Sequence, residues 1–423
     1  MSQADWDRLQ YYSRKVKSLT SNDVDPRIHF LTYLRIAQLE VEPSALFPCL
    51  RHLRYIFGDT SKSPTFHLRF PSPLLDSIEL VNIRGLEDTI VGSFLATLPS
   101  ESQMLSRIVL QNGQMSVDTL KKSIVHFKHL RSLELLDTVF MSDFELWEVL
   151  GTLPYLAKLS LAAFDPASHP ARAPANFNNH SGGLKYFEAL ECLFVKGSFF
   201  LIHHLLDFID SPYLNSIEVY PVTKKNILLN EDDHETENFT PSMTIIASKW
   251  SQSLKKLLIG SIRAPRNTVS EWLMLLTDFH EMETFHLLRW MMKNMDDDVR
   301  HLVKAWPKLR TLKVPPSDQT FISLSTLRII AESCPELRHL TILLDTSTIP
   351  PFDVSSKSLG HKLEVLTMGR DFNEISLEYQ IRMARHLDSI FPYLKSIERQ
   401  IDDSTWSGIL ELVKLCQGFR KGQ

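Results

Sequence analysis

The sequence predicts an α/β solenoid, a chain of stacked strand–helix units, and three observations support this class. A hydrophobic frame, L-x-x-L-x-L with Leu, Ile, Val, Met or Phe in its slots, recurs along the chain. Its copies begin about every 29 residues, the upper edge of the range for such repeats. The segments between copies carry helix start signals. The frames begin at Leu50, Leu75, Leu105, Leu130, Leu156, Leu190, Leu214, Leu254, Met282, Leu309, Leu337, Leu363 and Leu394.

Each frame predicts one short strand. In an extended segment alternate side chains share a face, so the second and third hydrophobic positions point inward and their neighbours point outward. Strands stacked in parallel, each followed by a returning helix, bury a continuous core that one unit cannot form alone. The sequence therefore predicts a leucine-rich-repeat horseshoe, with the parallel β-sheet on the concave face and the helices on the convex face.

The ends of the chain predict helical caps that cover the terminal strands of the solenoid. Residues 2–20 predict a first helix, a second follows Pro26, and Ile409, Val413 and Cys416 predict a last one. The predicted domains are an N-terminal helical cap at 1–45, a solenoid of about 13 repeats at 46–400 and a C-terminal helical cap at 401–423.

Between the frames, individual residues predict where helices start and stop. Ser116 and Ser376 precede helical apolar patterns and predict N-caps. The three aspartates at 296–298 indicate a helix start, since negative charge complements the helix dipole, rather than a metal site. Proline cannot continue a helix and disfavours helix in the residue before it, so a recurrent proline marks each stop. It stands two residues before the first leucine in several copies, among them those with Pro48, Pro154, Pro212, Pro307, Pro335 and Pro392.

Two long steps between frames predict insertions. Residues 163–183 contain three prolines and a Gly-Gly pair, and residues 221–243 are rich in Asp and Glu. Insertions in solenoids lie in loops. Such loops either bind partners or have no binding role and are accepted by the fold without loss of stability.

Composition argues against several classes of partner. The net charge of −4 gives no reason to expect nucleic acid or an anionic membrane. The start of the chain lacks the features of a secretory signal, and no apolar run is long enough to span a bilayer, so we expect a cytoplasmic or nuclear protein. The four cysteines are far apart, which argues against a disulfide framework or zinc site. We also expect a monomer.

A search for catalytic chemistry finds no nucleophile elbow, phosphate-binding Gly-rich loop or zinc-ligand pair. We therefore expect a protein that is not an enzyme and needs no cofactor or metal. Cys334 lies where a turn leads into a strand, so it should be a small buried hydrophobic residue.

The informative surface is the concave face, where strand alternation places aromatic and aliphatic residues at positions that should be exposed to solvent. Exposed apolar groups, aromatic ones above all, often mark a partner site; the alternative is that the two insertions fold back over them. The candidate partner-binding residues are Glu79, Val109, Glu134, Phe194, Glu218, Tyr220, Leu258, His286, Leu288 and Lys313.

The strings FPCLRHLRYI at Phe47, SPYLNSIEV at Ser211 and CPELRHLTI at Cys334 resemble the repeats of fungal F-box/leucine-rich-repeat proteins. The opening DWDRLQYYSRKVKSL, from Asp5, resembles the segment that follows their F-box, although no F-box is visible before it. The resemblance implies a recognition subunit that binds ubiquitin-ligase substrates on its concave face. It also implies a ligase adaptor as partner if an F-box exists upstream. The alternative is a regulatory leucine-rich-repeat protein, GTPase-regulator-like or inhibitor-like, unconnected to ubiquitin ligases.

Overall fold

The computed structural model divides into two compact units, Met1–Tyr213 (unit 1) and Leu214–Gln423 (unit 2). We describe each unit by itself. The structure describes residues 3–22, 46–57, 72–83, 88–113, 115–138, 144–162, 186–222, 239–260, 270–288, 295–314, 321–346, 349, 359–368, 376–399 and 404–421.

The described part of unit 1 is a parallel sheet with helices between its strands. Each strand pairs with the next in the chain, in the order β1 to β7. The strands are β1 Ser18–Asn22, β2 His52–Ile56, β3 Ser77–Val81, β4 Arg107–Gly113, β5 Ser132–Thr138, β6 Lys158–Ala162 and β7 Cys192–Gly197. The helices are α1 Gln3–Ser13, α2 Asp88–Glu101, α3 Val117–Ile124, α4 Phe144–Gly151 and α5 Phe199–Phe208.

Unit 2 repeats the arrangement, with strands paired in parallel in the order β8, β9, β10, β11, β13, β15, β16; β12 and β14 pair separately. The strands are β8 Ser216–Pro221, β9 Lys256–Gly260, β10 Thr284–Leu288, β11 Thr311–Lys313, β12 Ile322–Ser323, β13 His339–Ile342, β14 Leu344–Asp345, β15 Val365–Met368 and β16 Ser396–Arg399. The helices are α6 Thr240–Trp250, α7 Ser270–Leu273, α8 Met295–Ala305, α9 Leu324–Ser333, α10 Leu377–Ile390 and α11 Ser404–Lys421.

The register of the strands confirms the hydrophobic frame. Second-position residues of successive frames are paired directly, as Leu133 is with Ile108 on one side and Leu159 on the other. All three are buried, and third-position residues such as Leu135 are buried beside them. The chain is therefore a leucine-rich-repeat α/β protein, in which inward-facing residues of neighbouring repeats form the core.

A β-turn precedes the strands and explains the recurrent proline. The N–H of Leu309 donates to the carbonyl of Trp306 at 3.1 Å, and that of Leu337 donates to Cys334 at 3.1 Å. Pro307 and Pro335 thus occupy the second turn position, where the fixed φ of proline is favourable. We call the row of these turns the strand-entry edge.

The helix starts are mostly as predicted. The hydroxyls of Ser116 and Ser376 accept backbone N–H groups of Thr119 and Tyr379, which confirms both N-caps. The three aspartates lie in the first turn of α8, which confirms their interpretation as a helix start. The last helix, α11, is also confirmed.

The N-terminal prediction is wrong over residues 14–20. Helix α1 ends at Ser13, and Ser18–Asn22 form β1, which pairs in parallel with β2. The segment SLTSN is poor in strong helix formers, and its Ser, Thr and Asn side chains compete for backbone hydrogen bonds, so pairing with β2 prevails. The helix predicted after Pro26 lies outside the described residues, and the cap boundary at 1–45 stays a prediction.

The insertions lie largely outside the described residues, which exclude 163–185 and 223–238. Residues 240–243 begin α6, so the second insertion ends earlier than predicted. The buried Ile246 and Trp250 hold this helix on the core. Among the described helices, none has the length and apolar character that a bilayer crossing requires.

Candidate partner-binding faces

The strands present one open face, defined as the side chains that alternate with the buried frame positions. On unit 1, direct pairing places Val109 between Glu79 and Glu134, and Ser160 between Glu134 and Phe194. The predicted unit 1 residues therefore share one row across five strands.

The open face of unit 2 has an equivalent row. Leu258 pairs with Glu218 on one side and with His286 on the other, and Lys313 pairs with His286. Tyr220 and Leu288 stand two residues further along β8 and β10, next to this row.

Carboxylates on the open face of unit 1 are neutralised by neighbouring cations. Glu134 Oε1 lies 3.0 Å from Arg107 Nη2 and 3.1 Å from Lys158 Nζ, and only 12% of its side chain is exposed. Glu79 pairs with Arg54 at 3.3 Å. This face therefore lacks the negative field that its acidic residues alone would suggest.

The open face of unit 2 holds an imidazole that stays neutral at physiological pH. Burial lowers the pKa of His286 from 6.5 to about 4, and the cations of Lys313 and Lys256 add to the shift while Glu218 opposes it. Lys256 also pairs with Glu218. Among the described residues, the buried Nε2 of His286 finds no hydrogen-bond partner.

Tyr220 is a half-buried aromatic group positioned by a glycine. A Cβ at Gly260, on the adjacent strand, would overlap the Tyr220 ring, so the glycine lets the ring lie flat on β9. Burial, and then the Glu218 carboxylate, raise the pKa of Tyr220, so its hydroxyl remains protonated at neutral pH. Phe194 and Leu288 are half-buried as well.

Two predicted contact residues are buried rather than exposed to solvent. Val109 is 4% exposed and Leu258 is 8% exposed, so the expectation that they contact a partner through exposed surface is wrong. Each lies between longer side chains on the adjacent strands: Glu79 and Glu134 flank Val109, and Glu218 and His286 flank Leu258. Adjacent strands are about 4.8 Å apart, close enough for these neighbours to cover a shorter aliphatic group.

Cys334 is the small core residue that its position predicted. It is buried, and burial raises the pKa of its thiol to about 12. The thiol faces the carbonyl of Val303 at 3.4 Å, as a weak donor inside the core. In the described part of the chain no group of His, Cys, Asp and Glu has an arrangement that could hold a metal ion.

No protein-family model matches the chain, and no curated protein matches it. Similar solved structures include an internalin, inlF, from Listeria monocytogenes, with 14% identity, a TM-score of 0.40 and coverage of 95% of this chain and 86% of that one. The Rad7–Elc1 complex in yeast has 15% identity, a TM-score of 0.40 and coverage of 76% of each chain. A leucine-rich-repeat protein of Leptospira interrogans has 15% identity, a TM-score of 0.44 and coverage of 91% and 90%.

Proposed function

We propose that this chain is a non-catalytic protein-binding solenoid that holds a partner on its open strand face. The observation that carries the proposal is the group formed by Tyr220, His286, Leu288 and Lys313 on unit 2. It combines an aromatic ring that is pre-positioned on Gly260, an aliphatic side chain and a cation on three strands. Rigid aromatic groups bind at low entropic cost, and charged neighbours set partner choice.

The test is a co-purification from cells, with quantitative mass spectrometry of wild type and two variants. Leu288→Glu with Lys313→Glu removes the aliphatic group and reverses the cation on the open face of unit 2, whereas the control Lys304→Glu reverses one exposed cation on α8. Partners bound by the open face should be lost with the first variant and kept with the second. Identical partner sets for both variants would contradict the proposal.

Within this function, we propose the role of a substrate-recognition subunit in a ubiquitin ligase. The support is the resemblance of the repeat strings and of the segment from Asp5 to fungal F-box/leucine-rich-repeat proteins. The experiment is a binding assay of the purified chain with the F-box adaptor and cullin of its own cell. Recovery of both would support the ligase role. Repeat-specific partners without adaptor or cullin would favour the regulatory alternative.

A further inference from the structure

The strand-entry edge of unit 1 exposes large apolar side chains at one repeated position. This position immediately precedes the first leucine of each frame, at the third place of the β-turn. Met104 is 62% exposed, Tyr155 is 54% exposed, and Leu74 is also exposed. The same position in three successive frames of unit 2 carries the charged residues Glu281, Lys308 and Glu336, although Tyr393 is exposed at the last frame. The turn therefore does not demand apolar groups here.

Met104 and Tyr155 line a cleft of about 560 Å³, a size typical of ligand sites. The rings of His129 and Tyr155 are stacked, with centroids 6.2 Å apart and planes 9° apart, and they form a flat aromatic wall. Met104 adds an adaptable thioether, which can pack on ligands of varied shape. The cleft is lined by Asp76, Met104, Ser106, His129, Arg131 and Tyr155.

The polar side of the cleft contains a cation, Arg131, that has no counter-ion among the residues the structure describes. Ser106 donates its hydroxyl to Asp76 Oδ1 at 2.6 Å, so one oxygen of that carboxylate is engaged. The exposed guanidinium of Arg131 has no ion pair within the described residues. At the same repeat position in unit 2, Arg310 pairs with Glu283 at 3.4 Å and with Glu336 at 3.1 Å.

We propose that this cleft binds an extended segment of a partner protein in which a carboxylate lies two residues from an aliphatic or aromatic side chain. The apolar side chain packs between Met104 and Tyr155, and the carboxylate pairs with Arg131. Arg131 and Tyr155 belong to neighbouring repeats, whose strands are about 4.8 Å apart, and residues i and i+2 of an extended peptide are about 7 Å apart. One segment can therefore reach both groups. This site is separate from the open strand face.

The experiment is fluorescence anisotropy of the full chain with four labelled peptides, GSDGFGS, GSEGFGS, GSDGLGS and GSEGLGS. We expect saturable binding of at least one peptide. Arg131→Gln should weaken it about tenfold or more, as should replacing the acidic residue of the peptide by its amide, because a charge-assisted hydrogen bond is lost. Tyr155→Ser should weaken binding similarly. The matched control, Arg310→Gln in unit 2, should leave it unchanged.

Three results would overturn the proposal: no saturable binding by any peptide, equal affinity for acidic and amide peptides, or equal loss with Arg310→Gln. Circular dichroism and the thermal midpoint show whether each variant is folded. Charge reversal gives a second measurement, since Arg131→Glu should bind a peptide with Lys in place of the acidic residue better than wild type does.

A second copy of the chain is the competing occupant of the cleft. Concentration-dependent self-association in sedimentation velocity that disappears in Tyr155→Ser would assign the cleft to a dimer contact and overturn the peptide proposal. The open-face variant Leu288→Glu with Lys313→Glu should retain peptide binding. Failure of the open-face proposal and failure of this one are therefore distinguishable.

Discussion

The strand-entry edges of units 1 and 2 have one backbone design and two surface chemistries. In both, the N–H of a buried leucine closes a β-turn, as Leu130 does on Phe127 and Leu309 does on Trp306. Unit 1 then exposes Met104 and Tyr155 at this edge, whereas unit 2 exposes paired charges such as Lys308 with Glu281, 2.6 Å apart. Because the turn is stabilised by its backbone and the buried leucine, the exposed positions are free to diverge in function.

The open faces differ in a parallel way. Unit 1 pairs its carboxylates, with Glu134 held between Arg107 and Lys158. Unit 2 instead keeps His286 neutral through burial and nearby cations. Two surfaces built on the same strand register therefore hold their polar groups in different ways.

The largest effect should come from the shared frame. Leu130→Ala and Leu309→Ala each remove a buried side chain that anchors a turn, and each should lower the free energy of unfolding by about 2–5 kcal/mol. Urea denaturation followed by tryptophan fluorescence measures this. As a control, Met104→Ala changes only an exposed side chain in the equivalent turn of the preceding repeat, which Leu105 closes. If that substitution cost as much as Leu130→Ala, the shared-frame explanation would fail.

The next effect tests whether apolar exposure alone makes a binding edge. Transplanting the unit 1 chemistry with Glu281→Met, Lys308→His and Glu336→Tyr, at the positions equivalent to Met104, His129 and Tyr155, should not create acidic-peptide binding, because Arg310 remains paired with Glu283. Adding Glu283→Gln should release the guanidinium and produce binding in the anisotropy assay. Arg131→Gln in the same chain removes the unit 1 signal. Binding by the triple variant that keeps Glu283 would show that release of the arginine is not needed.

A smaller effect concerns the open face of unit 2, where His286 should make the free energy of unfolding depend on pH. The folded-state pKa of His286, about 4, lies below its ordinary 6.5, so folding favours the neutral imidazole. Its stabilising contribution is complete above pH 6.5 and declines as the pH falls from 6.5 towards 4. His286→Gln should therefore lose less unfolding free energy than wild type between pH 7 and pH 5, measured by urea denaturation. Equal losses in wild type and in His286→Gln would contradict this prediction.

The smallest effect should come from the charged edge of unit 2. Hydrogen bonding and charge from Lys308 lower the pKa of Glu281, but both groups are solvent-accessible and such pairs contribute little to stability. Lys308→Ala should leave the thermal midpoint unchanged within error at physiological salt. A clear drop that vanishes in high salt would show that the ion pairs do stabilise the repeats.

The repeat architecture and several helix starts were predictable because their causes are local. The leucine frame, Ser116 as an N-cap and proline at the second turn position each act within a few residues. Strand β1 was missed because Ser18–Asn22 carries only a weak apolar pattern, and it becomes a strand by pairing with β2.

The candidate site was predictable only in part. Strand alternation placed Glu134 and His286 on the correct face, but it did not predict which side chains surround them. The sequence by itself determined the strand order, the inward-facing positions and the turns. Only the tertiary structure decided that Val109 is covered, that His286 is neutral and that Arg131 lies in an aromatic cleft with no ion pair to any described residue. The physical reason is that burial and charge pairing depend on side chains from adjacent repeats, which are close in space but far apart along the chain.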